Sequence, residues 1–133
     1  MRSALALIIL LMAGCTSRIS ADIAEQVARN GSERLDLGKV GSAEWERVCF
    51  FGPYMNDEEA SKVLGFSWDL PTGIASSFVS ESINVLVFLK GQSVVAYTEH
   101  KRSEQDFWRL NGKCFSRDKA IFVRGQDSYV QGD

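Results

Sequence analysis

The chain has one histidine and three cysteines among 133 residues. That scarcity argues against metal chemistry. Zinc is held by three or four clustered His, Cys or carboxylate ligands, and one histidine with two distant cysteines does not supply them. No metal and no cofactor is expected. No Gly-x-Ser-x-Gly elbow marks a serine hydrolase. No internal repeat and no run of like charge is present. Acidic residues outnumber basic ones, 17 to 15. This balance argues against nucleic acid as a partner, because phosphate binding needs a basic surface. No apolar run approaches the roughly 20 residues of a transmembrane helix.

The longest apolar run, Ala4–Ala13, follows the short basic start Met1-Arg2-Ser3. Its length fits the h-region of a signal peptide, about 7–15 residues. It runs into Leu11-Met12-Ala13-Gly14-Cys15, which resembles the lipobox of bacterial lipoproteins. An ordinary secretory signal ending in a cysteine, or a buried N-terminal helix, are the competing readings. The resemblance covers residues 1–16 and departs from the common pattern only in Met12.

Membership of that class implies removal of residues 1–14 and acylation of Cys15. Each buried CH₂ adds about 0.8 kcal/mol, and one chain holds only marginally, so stable anchoring takes two or three. In Gram-negative lipoproteins an Asp after the cysteine favours the inner membrane. Thr16 stands there, so the resemblance implies the outer membrane, periplasmic face, with the lipid bilayer as first partner.

Removing the leader leaves roughly 120 residues, enough for one domain. The leader holds one basic residue, Arg2, and no acidic one, so the mature chain is one unit more negative than the formal −2. With Cys15 assigned to lipid, Cys49 and Cys114 remain. Two cysteines in an oxidising compartment pair into a disulfide. Closing a loop of about 65 residues contributes about 4 kcal/mol in the chain-entropy model.

The element pattern predicts an α+β fold: a small antiparallel sheet, one disulfide and one well-capped helix over about 56–64. Residues 15–44 read as a tether with a short N-terminal helix, Ala21–Arg29, capped by Ser20 and stopped at Asn30-Gly31. Such a tether of 25–30 residues would let the domain reach away from the membrane. A short strand is expected at Arg34–Leu37, and the compact domain over 45–125. Trp45–Phe51 reads as a strand, with Trp45, Arg47, Cys49 and Phe51 on one face. Asn56 and Glu59 form a capping box, Asp57, Glu58 and Glu59 suit the helix N-terminus, and Gly65 suits its left-handed end. Phe66–Leu70 reads as a strand closed by Pro71-Thr72-Gly73. Ile83–Leu89 and Val94–His100 form a hairpin around Lys90-Gly91-Gln92. Both faces of the first strand are apolar, so structure should cover both. Lys101–Asp106 reads as a charged loop. A tight turn at Asn111-Gly112 joins Phe107–Leu110 to Lys113–Ser116. Ala120–Val123 reads as a last strand, and 126–133 as a flexible tail.

Chemistry-bearing residues concentrate between 99 and 119. His100 is the one candidate general base, with Glu104 or Asp106 to orient it and a serine from 76–82 as nucleophile; the competing reading is a solvated loop. Lys101, Arg102, Arg109 and Arg117, with Lys113 and Lys119, are candidate binding residues for a phosphate-bearing sugar, a lipid head group or an acidic partner. Phe107 and Trp108 are adjacent, so if they lie in a strand one of them points away from the main core, as an edge cap or partner anchor.

Met55-Asn56-Asp57-Glu58-Glu59, Leu64-Gly65, Trp68 and Leu86–Val94 are similar to small outer-membrane lipoproteins of the SmpA/OmlA kind, which assist β-barrel assembly. The similarity spans about 40 residues and transfers no functional residue. It departs at the aromatic Cys49 strand and at Asn111–Val123. The expectation is a non-enzymatic interaction or envelope-assembly module with an envelope protein or glycan partner. The alternatives are an inhibitor or immunity lipoprotein against an envelope-degrading enzyme, and an envelope glycan or ester hydrolase using His100.

Overall fold

A computed structural model describes residues 15–42, 44–68 and 80–132, with backbone alone at 15–17. The leader, Asp69 and Leu70, the Pro71–Gly73 turn and most of the serine-rich 76–82 stretch lie outside the described residues. Among the described residues the fold is mixed α+β, with two α-helices and two antiparallel sheets.

The larger sheet has the order β4 (Ser93–Lys101), β3 (Ile83–Lys90), β2 (Arg47–Phe51), β5 (Cys114–Ser116). The smaller has the order β1 (Arg34–Asp36), β6 (Ile121–Arg124), β7 (Tyr129–Gln131). Alternation along β2 and β3 divides the core in two. Val48, Phe50, Leu86 and Phe88 face one apolar cluster, shared with Leu35, Phe107 and Phe122. Cys49, Phe51, Val85, Val87 and Leu89 face the other, under Ala60 and Leu64. The expected hairpin, covered on both faces, is therefore present, with a register shift between Phe88 and Leu89.

Helix α2 (Asp57–Leu64) carries the expected caps. Asn56 accepts from the Glu59 amide at 2.8 Å, and Glu59 accepts from the Asn56 amide at 3.2 Å. Gly65 turns left-handed at φ 90°. Arg47 Nη2 donates to the Leu64 carbonyl at 2.9 Å, where a cation complements the helix dipole. Cys49 and Cys114 stand opposite in register between β2 and β5 and form the disulfide.

Helix α1 runs from Cys15 to Asn30, far longer than the expected Ala21–Arg29. It is part of the core and not a tether. Ile19 and Ile23 are fully covered, and Val27 packs beside them. Short isolated helices are marginal in water, and an apolar stripe against a sheet supplies what propensity does not. Ser20 is therefore no cap; it lies on the packed face. The expected stop holds, with Gly31 at φ 89° and its amide bonded to Val27 O at 2.8 Å. The following segment buries Leu37 and Val40 as well. Folded structure thus begins near Ile19 rather than Trp45.

Four other expectations are corrected. β2 starts at Arg47, so Trp45 escapes its alternation. Its indole donates to Val40 O at 2.9 Å and meets Phe88 edge-on, in the cluster opposite Cys49. Residues 66–68 are not strand. Trp108–Leu110 is a 3-10 turn, and β5 pairs with β2 instead of returning on Phe107–Leu110. Finally, 126–133 is not a tail through most of its length. β7 pairs with β6, Tyr129 is buried, and its hydroxyl donates to Ser32 O.

Candidate functional site

His100 lies on β4 with Ala96 and Thr98, on the face that α1 covers. It is fully buried and not in a solvated loop. Its Nε2–H donates to Gln105 Oε1 at 2.7 Å, which leaves Nδ1 to accept from the Ser20 hydroxyl at 2.9 Å. Ser20 Oγ also lies 3.0 Å from Thr98 Oγ1. Burial pushes the imidazole below the ordinary histidine pKa of 6.5, against smaller opposing effects of the Gln105 hydrogen bond and the Glu104 charge. The ring is thus neutral at pH 7. Gln105, and neither Glu104 nor Asp106, orients it.

The connectivity Ser20–His100–Gln105 has the order of a nucleophile, a base and an orienting group. Catalysis also needs a place for a reacting carbonyl about 3 Å from the nucleophile. Ser20 instead presses against the sheet, and His100 has no exposed surface. An open groove of about 410 Å³ reaches Gln105, Asp106 and Ser128 but is lined by neither Ser20 nor His100. The network satisfies polar groups between α1 and β4. Of the serines expected to serve as nucleophile, the described Ser80 and Ser82 bond to each other in an exposed turn.

The candidate cations do not converge. Arg102 forks onto Asp106 at 3.0 Å through both Nε and Nη2, and its Nη1 donates to Glu81 O. Arg109 forks onto Asp127 at 2.8 and 3.0 Å. Each partner carboxylate raises its arginine's already high pKa, and Arg109 lowers that of Asp127. Arg117 donates to the carbonyls of Gly38, Ser42 and Trp45 and lies 4.5 Å over the Trp45 ring. It clasps the loop before β2 rather than offering charge to a ligand. Lys101 is exposed at the end of β4. Among the described residues no three His, Cys, Asp or Glu side chains gather as a metal site, and no helix is long and apolar enough to cross a membrane.

The Phe107–Trp108 pair divides, but at the start of a 3-10 turn and not by strand alternation. Phe107 is fully buried, and Trp108 is 39% exposed. The mount of Trp108 is held by hydrogen bonds and a ring contact. Its amide donates to Asp106 Oδ1 at 3.0 Å, and the Arg109 guanidinium lies 4.9 Å from its ring centre. Asn84, buried in β3, accepts from the Phe107 amide and donates to Asn111 Oδ1 at 2.8 Å. A shallow depression of about 590 Å³ opens beside the indole, with Leu110, Phe115 and Val130 as apolar lining. Arg109, Asn111, Lys113 and Gln131 complete its polar rim. Such a surface can take a flat apolar face on the indole and hydrogen-bond acceptors at its edge.

The sequence marks Ser20 only as a helix cap, and it does not mark Asn84 or Gln105. A serine in the Ile19–Ile23–Val27 stripe, and an asparagine inside the apolar β3 run, are the signals that could have found the first two. No family model, curated protein or solved structure matches the chain.

Proposed function

We propose that this protein is a bacterial envelope lipoprotein, anchored through acylated Cys15 in the outer membrane, whose periplasmic domain is a non-enzymatic binding module. The leader and the box Leu11–Cys15 support the anchor. The observation that carries the binding reading is Trp108. It stands exposed on a fixed mount, while His100, Arg102, Arg109 and Arg117 are engaged in internal bonds. The partner is an envelope protein or glycan presenting an apolar ring face flanked by acceptors. The energetic centres of protein contacts are enriched in tryptophan.

The test is a photo-crosslinking residue placed at position 113, on the rim of the depression with the indole intact, in the acylated protein in living cells. A discrete crosslinked species, lost when Trp108 is changed to Ala, supports the reading. No crosslink at 113 in a folded, membrane-bound protein refutes it. The inhibitor reading makes a narrower demand: the crosslinked species must be an envelope-degrading enzyme whose activity the purified domain suppresses. Burial of His100 weighs against the hydrolase reading.

A further inference from the structure

We infer that the folded domain lies directly on the bilayer that holds Cys15, with the β3–β4 turn at the level of the lipid head groups. The inference rests on the lipoprotein reading and adds a geometry to it. Ile19 is 2% exposed and packed in the core, four residues after Cys15. Even fully extended, four residues span at most about 14 Å. As the helix observed, they span about 6 Å. No standoff of the kind a tether of 25–30 residues would allow is left.

The contacts of α1 also set which end faces the membrane. Toward its C-terminus, Gln26 bonds with the backbone of Asp36, and Val27 shares the groove of Gln105 and Tyr129. Toward its N-terminus, Asp22 accepts from the Gly41 amide at 3.0 Å, and Ile19 approaches Gly41 beside Trp45. Trp45 adjoins Glu46, which accepts from the Gly91 amide at 3.0 Å. The start of α1 and the β3–β4 turn therefore lie at the same end of the sheet.

The turn also projects past the anchor. Ser20 and Thr98 stand side by side at 3.0 Å. From that level, five helical residues back to Cys15 cover about 7.5 Å, and five strand residues back to Ser93 cover about 16 Å. The turn thus reaches the lipid layer before the anchor pulls tight. Its composition suits that position. Lys90, Gly91, Gln92 and Ser93 are exposed and polar, and Val95 behind them is 42% exposed. Lys90 pairs with Glu44 at 3.8 Å, so opposite charges stand at this end and the short anchor, rather than net charge, holds it down. The Trp108 depression adjoins the β5 and β7 region and remains open to periplasmic partners near the membrane surface.

The test uses the acylated protein in phosphatidylethanolamine–phosphatidylglycerol vesicles containing head-group nitroxide lipid. Fluorophores are attached at Gln92→Cys or Gln126→Cys, with Cys49 and Cys114 kept oxidised. Several-fold stronger quenching at 92 than at 126 is expected. A twenty-residue Gly/Ser insert after Thr16, spanning about 25 Å, should abolish the difference. Equal quenching at both sites, in protein shown by mass to carry acyl chains on Cys15, overturns the placement and leaves the lipoprotein reading standing. Protein that carries no acyl group on Cys15 overturns both.

Discussion

Changing His100 to Ala tests whether the Ser20–His100–Gln105 network is structural. The substitution removes two hydrogen bonds, each contributing about 1 kcal/mol net. It also removes a buried ring that lies 5.7 Å from Phe107, whose packing contributes roughly 1–2 kcal/mol. The expected loss is about 3 kcal/mol, or a melting temperature lower by about 10–15 °C for a domain near 100 residues. Urea denaturation should show a lower midpoint with an unchanged slope. His100→Gln keeps a donor and an acceptor and should recover most of the loss. A pH signature separates the histidine from simple packing. Its folded pKa lies below 6.5, so the unfolded chain binds the proton more readily. Stability must therefore fall as pH drops below about 6.5, by up to about 1.4 kcal/mol per pH unit. The difference between wild type and His100→Gln isolates that component. An Ala variant as stable as wild type that has lost a hydrolytic activity would refute the structural role.

Four further outcomes follow from the structure. A Cβ at Gly52 would sit 2.0 Å from Asn111 Nδ2, so Gly52→Ala should displace Asn111 from Asn84 and cost about 2–3 kcal/mol in urea melts. Arg117→Ala removes three charge-assisted bonds to carbonyls and the stack on Trp45; a loss of about 2–3 kcal/mol is expected. Arg109→Ala, at an exposed ion pair, should leave the midpoint unchanged. Replacing both Cys49 and Cys114 with Ala should cost about 2–4 kcal/mol, and thiol titration of denatured wild type without reductant should find neither cysteine free.

What was legible in sequence was local. The capping box at Asn56 and Glu59, the left-handed Gly65 and the two-faced apolar run of β3 each carry their signal within a few residues. The pairing of Cys49 with Cys114 followed from counting. What was hidden depends on distant contacts. The Ser20–Asn30 stretch looks marginal alone, because the strand residues that Ser20 meets lie 78 and 80 positions later. β7 has three residues and gains its place from β6. The cluster of cations at 101–119 was real in sequence but not in space, since each arginine turns to its own internal acceptor. Strand alternation would part Phe107 from Trp108; the 3-10 turn parts them instead.

The central claim, an envelope module held by lipid at Cys15, is tested most directly by intact-mass and peptide analysis of the protein from its native membrane. The expected product is a chain that begins at Cys15 and carries diacylglycerol on its thiol. A chain retaining Leu11–Gly14, or one beginning at an unmodified Cys15, would contradict it.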